Sequence, residues 1–157
     1  MTWLDEVILG GTFDHLHLGH KAVLEAAISI SKYVRVGVTS EIFARKMRRN
    51  DKFIHLLQPF KVRERNVQLF LEERGCQKHR TMKIHDRYGP ALTDPYIEAI
   101  IATEETYPTA VEINKLRNLN GLDHLLILVV PFVYDEKGII ISSRRIRQQL
   151  GEKAKKE

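Results

Sequence analysis

A single cysteine, Cys76, among 157 residues excludes an internal disulfide framework and any cysteine-based zinc cluster. That scarcity fits a reducing cytosolic compartment, with Cys76 a bystander near a helix end. Long hydrophobic runs are lacking too: the longest, Leu125 to Val133, is broken by Pro131 and is too short to span a bilayer, so no membrane association is expected. The opening MTWLDEV carries acids where a secretory leader needs bases, which argues against a targeting segment and for a cytoplasmic protein. Low-complexity linkers and internal repeats are also missing. One domain over 1–157 is therefore expected, with 43% hydrophobic residues to build its core and only GEKAKKE, residues 151–157, as a charged, frayed tail.

What the chain does have is surplus positive charge and clear periodicity. A net charge of +5 and a pI near 9.4 suit an anionic partner, either a phosphorylated metabolite or a nucleic acid. The basic cluster ARKMRR, Ala44 to Arg49, has no interleaved aromatic residues, so nucleic acid is not the expected partner. Glu6 to Leu9 reads as a short buried strand, Val23, Leu24, Ala27 and Ile28 as the apolar face of a helix, and YVRVGVTS, residues 33–40, as a second strand. Such a βαβ unit favours parallel pairing through a right-handed crossover.

The alternation continues with a helix from Pro59 to Glu73 ended by Gly75, and strands in RTMKIH and YIEAIIAT. A helix over 105–121 with Thr106 as candidate N-cap and a last strand within 122–133 complete it. Five strands alternating with helices predict an α/β fold built on a doubly wound, five-stranded parallel sheet. Ligands of such sheets bind beyond the C-terminal strand ends.

The stretch VILGGTFDHLHLGHKAVLEAA, Val7 to Ala27, falls at that edge, and its three histidines need a reason. A metal site is one reading, disfavoured because Leu16, Leu18 and Gly19 fill the spaces between the imidazoles. A nucleotide P-loop is excluded: neither G-x-x-x-x-G-K-[ST] nor G-x-G-x-x-G is present. The third reading is geometric. With a helix starting near Leu18, His17 and His20 share a face of its first turn. No Ser, Thr, Asp or Asn immediately precedes that helix, so its first N–H groups are expected to stay open for an anion. Gly10 and Gly11 allow close backbone approach and Thr12 offers a hydroxyl, whereas His15 is expected only to serve the turn.

GGTFDHLHLGH resembles the T/HxGH signature of the nucleotidyltransferase superfamily, with Thr12 and His17-Leu18-Gly19-His20 in the defining places. ISSRRIR, Ile141 to Arg147, is similar to that superfamily's second motif. LLQPFKVRER, DRYGPALTDP and TEETYPTAVEINKLR narrow the resemblance to archaeal and eukaryotic-type pantetheine-phosphate adenylyltransferases, over about Val7 to Gln149. The sequence departs from the pattern at Arg144, where the family usually has a small hydroxyl residue.

The resemblance implies a Rossmann-like nucleotidyltransferase fold and transfer of AMP from ATP, with magnesium, to 4'-phosphopantetheine. It implies Thr12, His17, His20 and Lys46 as catalytic residues, with Arg45, Arg48 and Arg49 as basic neighbours of Lys46. ATP would be held by Gly10, Gly11, Thr12, Phe13, His17, His20, Glu105, Thr106, Ser142, Ser143, Arg144 and Arg147. The acceptor would meet Thr12, Lys46, Asp86, Tyr88 and Gly89, and no protein metal ligand is implied. A monomer is the expected state. The alternatives are a sister cytidylyltransferase, FAD synthetase or nicotinamide mononucleotide adenylyltransferase, and a non-catalytic nucleotide-binding or nucleic-acid-binding module.

Overall fold

Alternate residues of the first strand belong to different cores. In the computed structural model, which describes residues 4–157, β1 (Leu4–Gly11) is followed by α1 (Leu18–Ile30) and β2 (Ser31–Thr39). Met1 to Trp3, the start of the expected 1–157 domain and of its acidic N-terminal segment, lie outside the described residues. Next come α2 (Glu41–Met47), α3 (Phe60–Glu73), β3 (His79–Ile84), β4 (Ala99–Ala102), α4 (Tyr107–Leu119), β5 (Leu126–Val129) and α5 (Ser143–Lys156). Val7 and Leu9 point to α1 and α3, where they meet Leu24, Ala27, Val67 and Phe70, while Ile8 meets Ile113 of α4 and Leu125. That period of two, with helices on both faces, is the sequence expression of a doubly wound sheet.

The five strands pair in parallel in the order β3-β2-β1-β4-β5. The chain builds outward from β1 through β2 to β3, then returns to the other side of β1 to lay down β4. The strand order therefore reverses between β1 and β4, and the crevice this leaves at their C-terminal ends is where ligands of such sheets bind. The loop holding the three histidines leaves β1 at that point.

Element boundaries moved where local chemistry intervened. β5 is only four residues long, because Val130 still donates to Ala102 O at 2.8 Å but Pro131 has no N–H to continue the ladder. The sequence assigned no element to α2; its N-cap Ser40 accepts the Phe43 N–H at 3.1 Å. Gly75, at φ +75°, ends α3 as its position suggested. The charged tail is helical in the structure: α5 runs to Lys156, with Gly151 packed so closely against the Phe53 ring that a Cβ there would overlap it and residues 152–157 exposed. A missing side chain at one helical position lets α5 approach Phe53.

Candidate active site

The helix start expected to be open is capped. His17 occupies the N-cap of α1, its Nδ1 accepting the Gly19 N–H at 3.0 Å, while His20 Nδ1 accepts the His17 N–H at 3.2 Å. Of the backbone N–H groups expected to stay open at this helix start, that of Gly19 is taken by the cap. A histidine ring nitrogen takes the place of the Ser or Asp oxygen that usually caps. With Nδ1 of each ring accepting a backbone N–H, each neutral ring carries its proton on Nε2. Both Nε2–H groups are left as donors.

The two rings stack with centroids 3.7 Å apart, and Phe13 lies 5.3 Å from His20. Burial lowers the His17 pKa to about 4 against a partial opposing pull from Asp14. Burial also holds His20 well below its ordinary value, with the nearby His17 and Arg48 adding to the effect. Both imidazoles are neutral at physiological pH, so the site offers two fixed N–H donors rather than two cations.

Thr12 and Phe13 continue the same loop. Thr12 is buried, and its Oγ1 accepts from the Thr39 hydroxyl at 3.1 Å, which leaves the Thr12 O–H proton free to donate. Arg63 of α3, fully buried, donates to Thr12 O at 2.9 Å and to Thr39 O at 2.8 Å, bridging the ends of β1 and β2. Phe13 has a φ of +52° and His15 one of +47°, unusual values for residues with side chains. His15 has the structural part expected of it, with N–H to Gln58 Oε1 at 2.9 Å and Nε2 3.0 Å from Leu56 O.

The two motifs are joined through Asp14. This wholly buried carboxylate takes a bond from Arg147 Nη1 at 2.6 Å across 133 residues of sequence and another from Gln58 N at 2.8 Å. Ser143 Oγ donates to Asp14 O at 2.6 Å, and Asp51 completes the cluster by accepting from Arg147 Nη2 at 2.7 Å. Arg147 is therefore a buried brace, not the open phosphate ligand the sequence suggested. The N-cap of α5 is Ser142, accepting the Arg145 N–H at 3.2 Å, so the capping role considered for Ser143 falls one residue earlier.

The remaining predicted residues are spread more widely. Gly10 pairs with Gly37 of β2, and at Gly11 a Cβ would come within 3.1 Å of the Phe13 ring. Lys46 is exposed on α2 and Arg144 is exposed on α5. Asp86 Oδ1 accepts the N–H groups of Tyr88 and Gly89 at 2.9 and 2.8 Å, closing the turn after β3. Glu105 and Thr106 are exposed after β4, and Thr106 Oγ1 takes the Thr103 N–H at 2.9 Å instead of capping α4.

Sequence reasoning passed over Thr39, Arg63, Asp14, Asp51 and the part of Arg48. For Arg63 a signal existed: it occupies a core position of α3 in the run Phe60, Arg63, Val67, Phe70, where a charge needs a buried partner. Arg48, at the C-cap of α2, has a buried Nη1 without a hydrogen-bond partner among the described residues.

Comparison with known proteins identifies the family. The sequence model of the Cytidylyltransferase-like family matches residues 8–149. The phosphopantetheine adenylyltransferase of Methanopyrus kandleri is 40% identical over 148 residues, covering 94% of this chain and 91% of that protein. The phosphopantetheine adenylyltransferase of Thermococcus kodakarensis is 39% identical over 145 residues, covering 92% and 86%. A crystal structure of a protein of unknown function from Archaeoglobus fulgidus superposes with a TM-score of 0.71 at 30% identity, covering 87% of this chain and 99% of that one.

Proposed function

Given that the chain belongs to the cytidylyltransferase-like family, and within it to the phosphopantetheine adenylyltransferases, we propose that it transfers AMP from ATP to 4'-phosphopantetheine. An acceptor phosphate oxygen attacks the α-phosphorus of ATP as the bond to the β-phosphate bridging oxygen breaks, giving dephospho-coenzyme A and pyrophosphate. No enzyme nucleophile is required. The protein's task is positioning and stabilisation of charge on oxygens that change little in place.

The observation that carries this reading is the stacked His17–His20 pair, two neutral rings whose Nδ1 atoms are tied to the α1 cap and whose Nε2–H groups remain as donors. His20 stabilises the charge building on the α-phosphate, and His17 holds the ATP phosphates. The free Thr12 proton, secured by the Thr39 hydroxyl, orients the attacking phosphate. Because each Nδ1 is held by backbone, neither ring must reorganise as charge develops.

Gly10, Gly11 and Phe13 shape the β1 side of the nucleotide site, Glu105, Thr106, Ser142, Ser143 and Arg144 its far side, and Lys46, Asp86, Tyr88 and Gly89 the acceptor side. Magnesium bound to ATP would supply neutralisation of the polyphosphate, while His17 and His20 hold the phosphates themselves. Among the described residues there is no group of three His, Cys, Asp or Glu side chains arranged to hold a metal. Nor is any described helix long and apolar enough to cross a membrane. A cytoplasmic monomer is the state we propose.

Pyrophosphate release tests the reading, with ATP and CTP each crossed against 4'-phosphopantetheine, glycerol 3-phosphate, flavin mononucleotide and nicotinamide mononucleotide in the presence of magnesium. Release confined to ATP with 4'-phosphopantetheine is the expected result. Turnover with a different pair moves the chain to a sister specificity, and ATP binding without release in any pair leaves a binding module.

A further inference from the structure

Neutral imidazoles leave a deficit that another group must fill. The reacting phosphates carry several negative charges, and His17 and His20 supply hydrogen bonds without positive charge. Arg147 is neutralised in place by Asp14 and Asp51, and is 1% exposed. Arg63 lies wholly beneath Thr12 and Thr39, with its Nε and Nη1 on the carbonyls of Gln58, Thr12 and Thr39; its Nη2 is also buried without a hydrogen-bond partner among the described residues, but the side chain is 0% exposed and closed to a ligand. Lys46, in the position resembling the family's phosphate lysine, is exposed with no side-chain hydrogen bond or ion pair among the described residues.

Arg48 alone among these arginines combines an orphan N–H with partial exposure. It is half-buried, and the groups whose charges reach it come from four segments: Asp14 of the histidine loop, Arg147 of α5, Glu105 after β4, and Asp51 of its own loop. It also lies near enough to His20 to act on that ring. None of the carboxylates forms an ion pair with it among the described residues, and its buried Nη1 has no hydrogen-bond partner there. A buried guanidinium N–H without an acceptor carries a penalty that a native site tolerates when a ligand supplies the acceptor.

We infer that Arg48 is the cationic catalytic residue of this site, its orphan guanidinium edge donating to the transferring phosphate beside His20, and that the Asp51–Arg147 ion pair holds its loop in position. The inference rests on the adenylyltransferase reading and deepens it. Asp51 is well built for that bracing. Its Oδ2 takes Arg147 Nε at 3.1 Å and Nη2 at 2.7 Å, and its Oδ1 accepts the Phe53 N–H at 3.0 Å. The segment between Arg48 and Phe53 is thereby pinned to the helix that carries the second motif. Asp51 acts through Arg48 and is a positioning residue.

The test compares full-length wild type with Arg48→Gln, Arg48→Lys, Asp51→Asn and the Arg48→Gln/Asp51→Asn double variant, following pyrophosphate release under saturating substrates and thermal melting in parallel. Arg48→Gln should lower kcat by about 10²–10³, as loss of a well-aimed donor to developing charge does, with KM values changing far less. Arg48→Lys should recover about tenfold of that loss by restoring the charge without the planar fork. Asp51→Asn should lower kcat in the wild-type background and add little to Arg48→Gln, because its effect passes through the same side chain.

A kcat for Arg48→Gln within about threefold of wild type, in protein that melts normally, overturns the assignment. Equal losses in Arg48→Gln and Arg48→Lys would also overturn it, since restored charge would then have no effect. Additive losses in the double variant would overturn the bracing role of Asp51. A wild-type protein inactive with ATP and 4'-phosphopantetheine would instead remove the underlying adenylyltransferase reading, which separates the two failures.

Discussion

Two loops leave the same edge of the sheet, one after β1 and one after β3, and a buried arginine from a later helix braces each by different chemistry. After β1, Arg147 of α5 meets two carboxylates, Asp14 and Asp51. After β3, Arg117 of α4 donates among the described residues to carbonyls alone, those of Ala91, Asp94 and Asp123, at 2.7–2.9 Å. The first loop contains a wholly buried charge and the second does not. The costlier arrangement lies where the site needs fixed donors, and removal of its arginine would strand a carboxylate away from water. Carbonyls are neutral and tolerate the loss better.

The largest break in this comparison should come from Arg147→Met, which leaves Asp14 buried and unpaired. We expect a loss of about 3–5 kcal/mol in denaturant unfolding. His20→Ala acts on the same loop through chemistry, and its kcat should fall by about 10²–10³ in pyrophosphate-release assays. Arg117→Met should cost less, about 1–3 kcal/mol by the same unfolding measurement, because it orphans carbonyl groups without stranding a charge. If Arg117→Met proves as damaging as Arg147→Met, the carboxylates are not what separates the two braces.

The pH response should be the gentlest distinction. His17 has a folded pKa of about 4 against an ordinary 6.5, so the unfolded chain binds more protons between those values. The contribution of this ring to stability is therefore complete above pH 6.5 and is lost as the pH falls toward 4. Melting temperatures taken across that window should decline on acidification, and His17→Asn, which keeps a capping oxygen, should flatten the decline. The half-buried ring is partly screened, which keeps the effect modest. The kcat profile should show no inflection near the ordinary histidine value.

Much of this molecule was legible in advance because local rules and tertiary needs agreed. The alternation of strand and helix, the parallel sheet and the placement of Thr12, His17 and His20 at its ligand edge follow from period and spacing. What misled was a rule about residue type. Histidine is not among the usual helix caps, yet His17 Nδ1 accepts a backbone N–H as an asparagine oxygen would. The composition of GEKAKKE gave no sign of the close contact of Gly151 with Phe53 in α5.

By itself the sequence determined the alternation of strands with most of the helices and the crowding of histidines at the end of β1, since those depend on periodicity and on short-range spacing, while the second motif was legible only through its resemblance to a family. Only the tertiary structure decided which arginine is spent and which is free. Arg147 and Arg48 are the same side chain in neighbouring basic surroundings. The difference is that Asp14 and Asp51, distant in sequence, converge on one guanidinium and leave the other with a buried N–H that has no acceptor among the described residues. Pairing of buried charge depends on three-dimensional proximity in a medium that screens poorly, and linear spacing does not encode it.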